Sequence, residues 1–294
     1  MKTALHSVSY AGVWPGQIRL SLDDFLVKAR HLGFDAVMLM AKRPHLSVLD
    51  YGAAARQRLR ERLTELRLQV ACLAGYTDFC MSADRPDIPA REMQILYVRE
   101  LCRLAHDLGC CLVRIFTGFE RDGVSLEQQW AWCVDSLREC ARCAAPLGVT
   151  IGVQNHHDVA VHWQSLLDLL RDINESNCKA MFDAWAPALQ GDDPAAVVKE
   201  MAPFLVHTTV ADYVRRPRFC YQSALVNYAR ADDAVRAVPM GEGFIDYRAF
   251  FRALREIGYQ GYVAYEICSP LRGGGSEDNL DRCARQFLHF MAEW

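Results

Sequence analysis

The sequence predicts an α/β fold, a single (β/α)8 TIM barrel that spans residues 1–294. Short apolar segments alternate with longer amphipathic ones along the whole chain, which is typical of strands and helices that follow each other in turn. Eight such strand–helix units can be counted, and eight is the number that closes a parallel barrel. The segment after the first strand, 9–14, lacks the GxGxxG turn that an open dinucleotide-binding sheet would usually contain.

The strands are predicted from apolar runs. Several runs are continuous, as expected of parallel strands that helices cover on the outside. In chain order the predicted strands are 3–9, 35–40, 69–74, 111–116, 149–154, 179–183, 205–210 and 262–266.

The helices are predicted from helical spacing of apolar residues and from residues that suit helix ends. In segment 21–32, Phe25, Ala29 and Leu32 share one face, Ser21 suits the cap and Gly33 suits the stop. The long connection 211–244, rich in Arg, Tyr and Asp, is predicted to be a βα loop over the active-site face. The remaining helices are predicted at about 53–68, 90–108, 125–146, 162–174, 194–202, 247–257 and 277–293.

Composition argues against nucleic acid and membrane as partners and indicates the cellular compartment. The chain has 33 Lys and Arg against 36 Asp and Glu, and no basic stripe, which argues against nucleic acid as a partner. No stretch approaches the length of about 18 apolar residues that suggests a membrane helix, so no membrane association is expected. The N-terminus shows no apolar signal region, and twelve Cys without an export signal predict reduced thiols in a cytoplasmic protein.

Polar residues stand at the ends of four neighbouring predicted strands. Gln154 ends strand 5, Asp183 ends strand 6, His207 and Thr209 lie in strand 7, and Glu266 ends strand 8. In this fold the carboxyl ends of the strands form the active site, so these side chains are expected to converge. Oxygen and imidazole ligands suit a divalent ion such as Mn2+ or Mg2+. The alternative is that these groups cap the following helices or pair with one another.

Three segments resemble a known superfamily. Residues 241–267 (GEGFIDYRAFFRALREIGYQGYVAYEI), 148–158 (GVTIGVQNHHD) and 179–189 (KAMFDAWAPAL) are similar to the xylose isomerase-like barrels of the sugar phosphate isomerase/epimerase superfamily. That group includes tagatose and allulose 3-epimerases, hydroxypyruvate isomerase and inosose dehydratase. The resemblance implies a metal-dependent isomerase or epimerase that acts on a sugar, keto sugar or sugar phosphate through an enediolate. Barrels of this group often assemble as dimers or tetramers, so a homo-oligomer is a further expectation.

The resemblance also implies a set of metal ligands. In the epimerases a strand-5 Glu, a strand-6 Asp, a strand-7 His and a strand-8 Glu hold the ion, and these positions are Gln154, Asp183, Thr209 and Glu266 here. The Gln154 side chain can ligate through its carbonyl oxygen but cannot act as a base, and Thr209 is a poor ligand. His207 lies two residues earlier on the same side of the strand. The predicted ligands are therefore Asp183, Glu266, Gln154 and His207, although a core histidine explains His207 equally well.

The predicted catalytic residues follow from the two positions, Gln154 and Thr209, that differ from the ligand set of the epimerases. Epimerisation needs two carboxylates on opposite faces of the sugar carbon, and this chain keeps only Glu266. Glu266 acting with His156 or His157 would suit a 1,2-isomerisation or a β-elimination from a keto sugar. A lyase is therefore the first alternative function, and a sugar-binding barrel without chemistry is the second if the metal is lost.

Three residues are predicted to bind the substrate. Arg215 lies six residues after Thr209, where the resemblance implies a sugar-binding Arg. Trp185 follows strand 6 and is placed to line a sugar pocket. Arg272 precedes the Gly-rich start of the last helix, a position that suits a phosphate or carboxylate. The alternatives are a solvated loop for Arg215, core packing for Trp185 and a flexible turn for the segment that begins at Arg272.

Overall fold

The computed structural model describes residues 1–85 and 87–294. Within these ranges the chain contains ten strands. They are β1 (Lys2–His6), β2 (Ala36–Met40), β3 (Gln69–Ala74), β4 (Leu112–Ile115), β5 (Thr150–Gln154), β6 (Cys178–Asp183), β7 (Leu205–Val210), β8 (Asp212–Gln222), β9 (Asn227–Val238) and β10 (Tyr262–Tyr265). Eight of them close into a parallel barrel in the order β1-β2-β3-β4-β5-β6-β7-β10, and β10 pairs back onto β1. The predicted closed parallel barrel is confirmed.

Helices connect the barrel strands. Most of them begin with a polar cap, as Ser21 and Ser125 do by accepting hydrogen bonds from Asp24 N and Gln128 N. The helices are α1 (Leu22–Leu32), α2 (Ala53–Glu65), α3 (Ala90–Asp107), α4 (Leu126–Ala144), α5 (Trp163–Ile173), α6 (Trp185–Gln190), α7 (Pro194–Met201), α8 (Tyr247–Glu256) and α9 (Glu277–Met291). The short helix α6, directly after β6, was not expected from the sequence. No described helix is long and apolar enough to cross a membrane.

The first strand ends earlier than the sequence predicts. The prediction extended it to residue 9, but residues Ser7–Tyr10 form a 3-10 turn. The reason lies in two buried hydroxyl groups, because Ser7 Oγ accepts a hydrogen bond from Met40 N and Ser9 Oγ accepts one from Ile267 N. The turn therefore joins the ends of β1, β2 and β10 at the carboxyl-terminal mouth of the barrel.

The segment predicted as a βα loop over the active site is not an irregular loop. Its strands β8 and β9 form a two-stranded antiparallel ribbon, in which Asp212 pairs with Val238 and Gln222 with Asn227. Only the base of the ribbon is buried, and beyond Val214 most residues are exposed on both faces. Phe219 and Tyr228 are 60% and 66% exposed. A ribbon that is exposed on both faces has no buried side to impose alternation, which explains why its strands were not predicted.

Candidate active site

The carboxyl ends of β5, β6, β7 and β10 bring the predicted polar residues to one level of the barrel. Asp183 pairs with Thr209, which in turn pairs with Ala264. Because side chains alternate along a strand, Glu266 lies on the same face as Ala264, one step further out. The mutual repulsion of Asp183 and Glu266 raises the pKa of Glu266, in addition to the larger effect of burial. The two carboxylates therefore lie close enough to influence each other at the carboxyl end of the barrel.

Asp183 is held firmly by its neighbours. Its backbone N–H donates to Asn155 Oδ1 at 2.7 Å, and Asn155 Nδ2 donates back to the Asp183 carbonyl oxygen at 2.9 Å. The carboxylate accepts a hydrogen bond from the Trp185 backbone N–H at 3.0 Å, and its other oxygen lies 3.5 Å from Gln154 Nε2. Both carboxylate oxygens therefore already have protein partners, while burial raises the pKa of Asp183.

Glu266 is the less restrained carboxylate. Its Oε2 atom lies 3.7 Å from His6 Nε2, which is longer than a hydrogen bond. His6 Nδ1 accepts a hydrogen bond from Val8 N, so the neutral ring has its proton on Nε2, facing Glu266. Burial lowers the pKa of His6 well below its usual value and keeps the ring neutral. Among the described residues, the Glu266 carboxylate therefore has fewer hydrogen-bond partners than the Asp183 carboxylate.

A buried arginine, which the sequence analysis missed, lies in the same interior. Arg114 of β4 is 2% exposed, and its guanidinium carbon lies 4.0 Å from the Phe116 ring centre and 4.9 Å from that of Tyr76. Its positive charge favours the ionised forms of both Asp183 and Glu266. The signal that was available is a single charged residue inside the apolar strand 111–116, since parallel strands covered on both faces rarely contain one.

The two predicted catalytic histidines form an aromatic cluster at the end of β5. The His157 ring stacks on Phe116 and Phe119, with ring centres 4.4 and 3.8 Å apart. His156 Nδ1 accepts a hydrogen bond from the His157 backbone N–H and lies 2.7 Å from His157 Nδ1. Burial lowers the pKa of His156 to about 4 and that of His157 to about 3. Both rings are therefore neutral near pH 7 and cannot serve as standing proton donors.

The predicted ligand His207 is not brought to the carboxylates. It pairs with Met181, one layer deeper in the barrel than Asp183, and it lines a cavity of about 570 Å³ together with Gln69 and Tyr262. These two residues begin their strands, so this cavity opens at the amino-terminal end of the barrel. Burial lowers the pKa of His207 to about 3, and the neutral ring is part of the barrel core.

Of the three predicted substrate-binding residues, one lies beside Asp183 and the other two have partners elsewhere. Trp185 stacks on Tyr213 beside Asp183, with ring centres 4.6 Å apart. Arg215, at the base of the ribbon, donates to the Ala188 carbonyl oxygen at 2.7 Å. Arg272 forms an exposed ion pair with Glu242. Trp185 therefore lies at the site, whereas the side chains of both arginines already have partners outside it.

The donor atoms do not fit a four-ligand divalent metal centre. Among the described residues, no three His, Cys, Asp or Glu side chains are grouped so that they could hold a metal. Gln154 presents its amide nitrogen to Asp183 and to Thr209 Oγ1, which lies 3.1 Å away. Without a cation between them, the reverse orientation of the amide would set two oxygens against each other, so Gln154 is oriented here as a donor. The permanent charge of Arg114 opposes a second cation in the same interior.

A cavity of about 800 Å³ lies beside the ring of Tyr76, which Arg114 contacts. It is lined by residues of α3, by the connections after β2 and β3, among them Lys42, and by His157, but not by Asp183, Glu266 or Arg114. Lys42 Nζ lies 3.8 Å from the Tyr76 ring centre. The volume is in the range of cavities that bind small molecules, and its walls are mostly apolar with a few polar groups.

The sequence is similar to those of two kinds of dehydratase. An inosose dehydratase from Geobacillus thermodenitrificans is 24% identical over 156 residues, which is 50% of this chain and 50% of that protein. A 3-dehydroshikimate dehydratase from Bacillus anthracis is 22% identical over 244 residues, 81% of this chain and 82% of its own length. The chain thus spans about half the length of the inosose dehydratase that it matches.

Solved structures share the fold. The D-psicose 3-epimerase of Clostridium cellulolyticum H10, crystallised with D-tagatose, superimposes with a TM-score of 0.76 at 18% identity, covering 99% of this chain and 98% of its own. The family model of the xylose isomerase-like TIM barrel matches residues 26–287. Together with the closed barrel and the acidic strand ends, this match shows that the chain belongs to the xylose isomerase-like TIM barrel family.

Proposed function

We propose that the chain is a lyase that removes water from a cyclic polyhydroxy ketone, and that Glu266 moves the proton. The observation that supports this most directly is the difference between two positions of the site. Within residues 1–85 and 87–294 the Glu266 carboxylate has no hydrogen-bond partner, whereas the strand-5 position is the amide Gln154, which donates a hydrogen bond to Thr209. The site therefore offers one available proton-transfer group rather than a symmetric pair.

One carboxylate is sufficient for an elimination. Glu266 takes the proton from the carbon next to the ketone, and the electron pair of the broken C–H bond forms an enolate. The ketone then re-forms, the carbon–oxygen bond of the β-hydroxyl breaks, and Glu266 returns its proton to the leaving oxygen to complete one water. Epimerisation instead needs a second acid or base on the opposite face, and Gln154 cannot supply or accept a proton there.

The sequence relatives favour the same class of reaction. The curated relatives described above are named as an inosose dehydratase and a 3-dehydroshikimate dehydratase. Both names describe the removal of water from a cyclic hydroxy ketone. An inosose is therefore the first substrate to test.

Isomerisation or epimerisation of a sugar, the function first expected from the resemblance, is the second candidate. It is favoured by the 3-epimerase among the similar structures and by the position of His156 at the end of β5. In that reaction His156 would replace the missing carboxylate. Its pKa of about 4 makes it a weak base near pH 7, which is why elimination is preferred.

The experiment compares the wild type with Glu266→Gln on an inosose and follows the loss of one water by mass spectrometry, the product being a 2-hydroxyenone or its 1,2-diketone tautomer. Glu266→Gln is expected to lower kcat by about 100-fold or more, since it removes the carboxylate that carries the proton in the proposed elimination. Glu61→Gln, on the exposed face of α2, is the control and is expected to retain the wild-type rate. Wild-type turnover by Glu266→Gln would remove Glu266 from the mechanism, and sugar binding without turnover by the wild type would favour the non-catalytic alternative.

A further inference from the structure

We propose that Arg114 takes the place of the metal ion in this chain, and that its guanidinium holds the ketone oxygen of the substrate while Glu266 removes the adjacent proton. This inference rests on the proposed elimination. It adds the group that stabilises the enolate, and it makes the reaction independent of a divalent metal.

The buried side chain of Arg114 is not fully hydrogen-bonded within the described residues. Its Nε and Nη1 atoms are buried and have no hydrogen-bond partner among the described residues. Buried polar groups in proteins are nearly always hydrogen-bonded, and an arginine is charged at every accessible pH. Two unpartnered N–H groups on a charge that is 2% exposed therefore point to a ligand that supplies the missing oxygen.

Arg114 lies beside small residues of the neighbouring barrel strands. It pairs with Gly152 of β5 and with Ala74 of β3, so neither neighbouring residue fills the interior beside it with a large side chain. The planar guanidinium rests against the Phe116 ring, which limits its motion. The described part of the chain contains no carboxylate in ion-pair contact with Arg114, although Asp183 and Glu266 both feel its charge. A substrate oxygen can therefore lie between the cation and the two carboxylates.

The proposed elimination requires a group that stabilises negative charge on the ketone oxygen. When Glu266 takes the proton, negative charge develops on the ketone oxygen, and a fixed donor in a buried site stabilises that charge most effectively. In a metal-dependent barrel the ion would do this. Here the metal donors are incomplete, because Gln154 donates to Asp183 and Thr209 stands where the resemblance implies a His. Arg114 is a permanent cation in the same interior, and its two free N–H groups suit one oxygen.

The main test uses chelator-treated protein and an inosose. We expect the wild type to keep its activity after metal removal and Arg114→Ala to lose about 100-fold or more in kcat. Free guanidinium ion should restore at least about a tenth of the lost activity to Arg114→Ala, while Mn2+ should not, since the missing group is an organic cation. Arg103→Met, on the exposed face of α3, is the control and should leave the rate unchanged. Loss of wild-type activity on chelation, with recovery on adding Mn2+, would overturn the inference.

Two measurements that need no turnover separate this inference from the proposed function. In Arg114→Met a buried, unpartnered charge is replaced by an apolar chain of similar length, so the melting temperature should stay level or rise. A large fall would show that Arg114 has a structural role. Titration of the wild type with Mn2+, followed by electron paramagnetic resonance, should show no tight site. Tight Mn2+ binding that Asp183→Asn abolishes would refute the replacement of the metal, whatever the outcome with Glu266→Gln.

Discussion

Gln154→Glu restores the carboxylate that the resemblance places on strand 5, and its effect on stability can be worked out from the structure. Gln154 Nε2 lies 3.5 Å from Asp183 Oδ2. A glutamate of the same shape would set two negative charges at that distance, a repulsion of about 5 kcal/mol at an effective dielectric constant of about 20. The pair can avoid this by binding one proton, and the cheaper site is Asp183, because burial raises its pKa to about 6 and protonation then costs about 1.4 kcal/mol at pH 7. The metal-free variant should therefore be destabilised by about 1.5 kcal/mol.

A divalent cation should reverse this loss in the variant only. Three carboxylates would then face one point, and Mn2+ at 100 times its dissociation constant would return about 2.7 kcal/mol of folding free energy. The assay is the melting temperature with chelator and with Mn2+, measured for the wild type, Gln154→Glu and the neutral control Gln154→Met. We expect Mn2+ to raise the melting temperature of Gln154→Glu alone. An equal rise in the wild type would show that its metal site is already complete, and a variant with neither loss nor response would show that residue 154 does not face Asp183.

Two further predictions concern stability. His45 is 3% exposed, and burial lowers its pKa to about 4, against 6.5 in the unfolded chain. Between pH 6.5 and pH 4 only the unfolded chain binds the proton, so the free energy of unfolding falls as the pH drops. Between pH 7 and pH 5 the free energy of unfolding, measured with denaturant, should fall by about 2 kcal/mol less in His45→Gln than in the wild type. An equal fall in both proteins would contradict this. Gly243→Ala would place a Cβ 1.8 Å from Asp212 Oδ1, which should cost about 3 kcal/mol. Gly52→Ala, where the Cβ meets nothing within 4 Å, is the control, and equal melting temperatures of the two variants would refute the clash.

Much of the fold could be predicted because each local signal agrees with the global pattern. Ser21 and Gly33 were predicted to bound the first helix, and the structure places α1 between them, with Gly33 in the left-handed conformation at φ 98°. The ribbon of β8 and β9 was not predicted. Its strands bury neither face over most of their length, so hydrophobic periodicity, the main signal for a strand, is missing there.

The site could be predicted only as far as strand ends are informative. Asp183 and Glu266 were located because the carboxyl ends of parallel strands converge in this fold. The depth of a side chain inside the barrel cannot be obtained from spacing when the register shifts, as it does between Ala180 and Met181, and this shift accompanies the deeper position of His207. The ion pair of Arg272 with Glu242 joins residues that lie thirty positions apart, which no local pattern indicates.

The central claim is that Glu266 removes a proton next to a ketone and that water is then lost. The most direct measurement is proton NMR of an inosose in D2O with the chelator-treated wild type and with Glu266→Gln. The proposal predicts that the wild type forms the 2-hydroxyenone or its 1,2-diketone tautomer, and that Glu266→Gln shows neither this product nor deuterium exchange at the neighbouring carbon. Deuterium incorporation by the wild type with no loss of water, or an unchanged rate in Glu266→Gln, would contradict it.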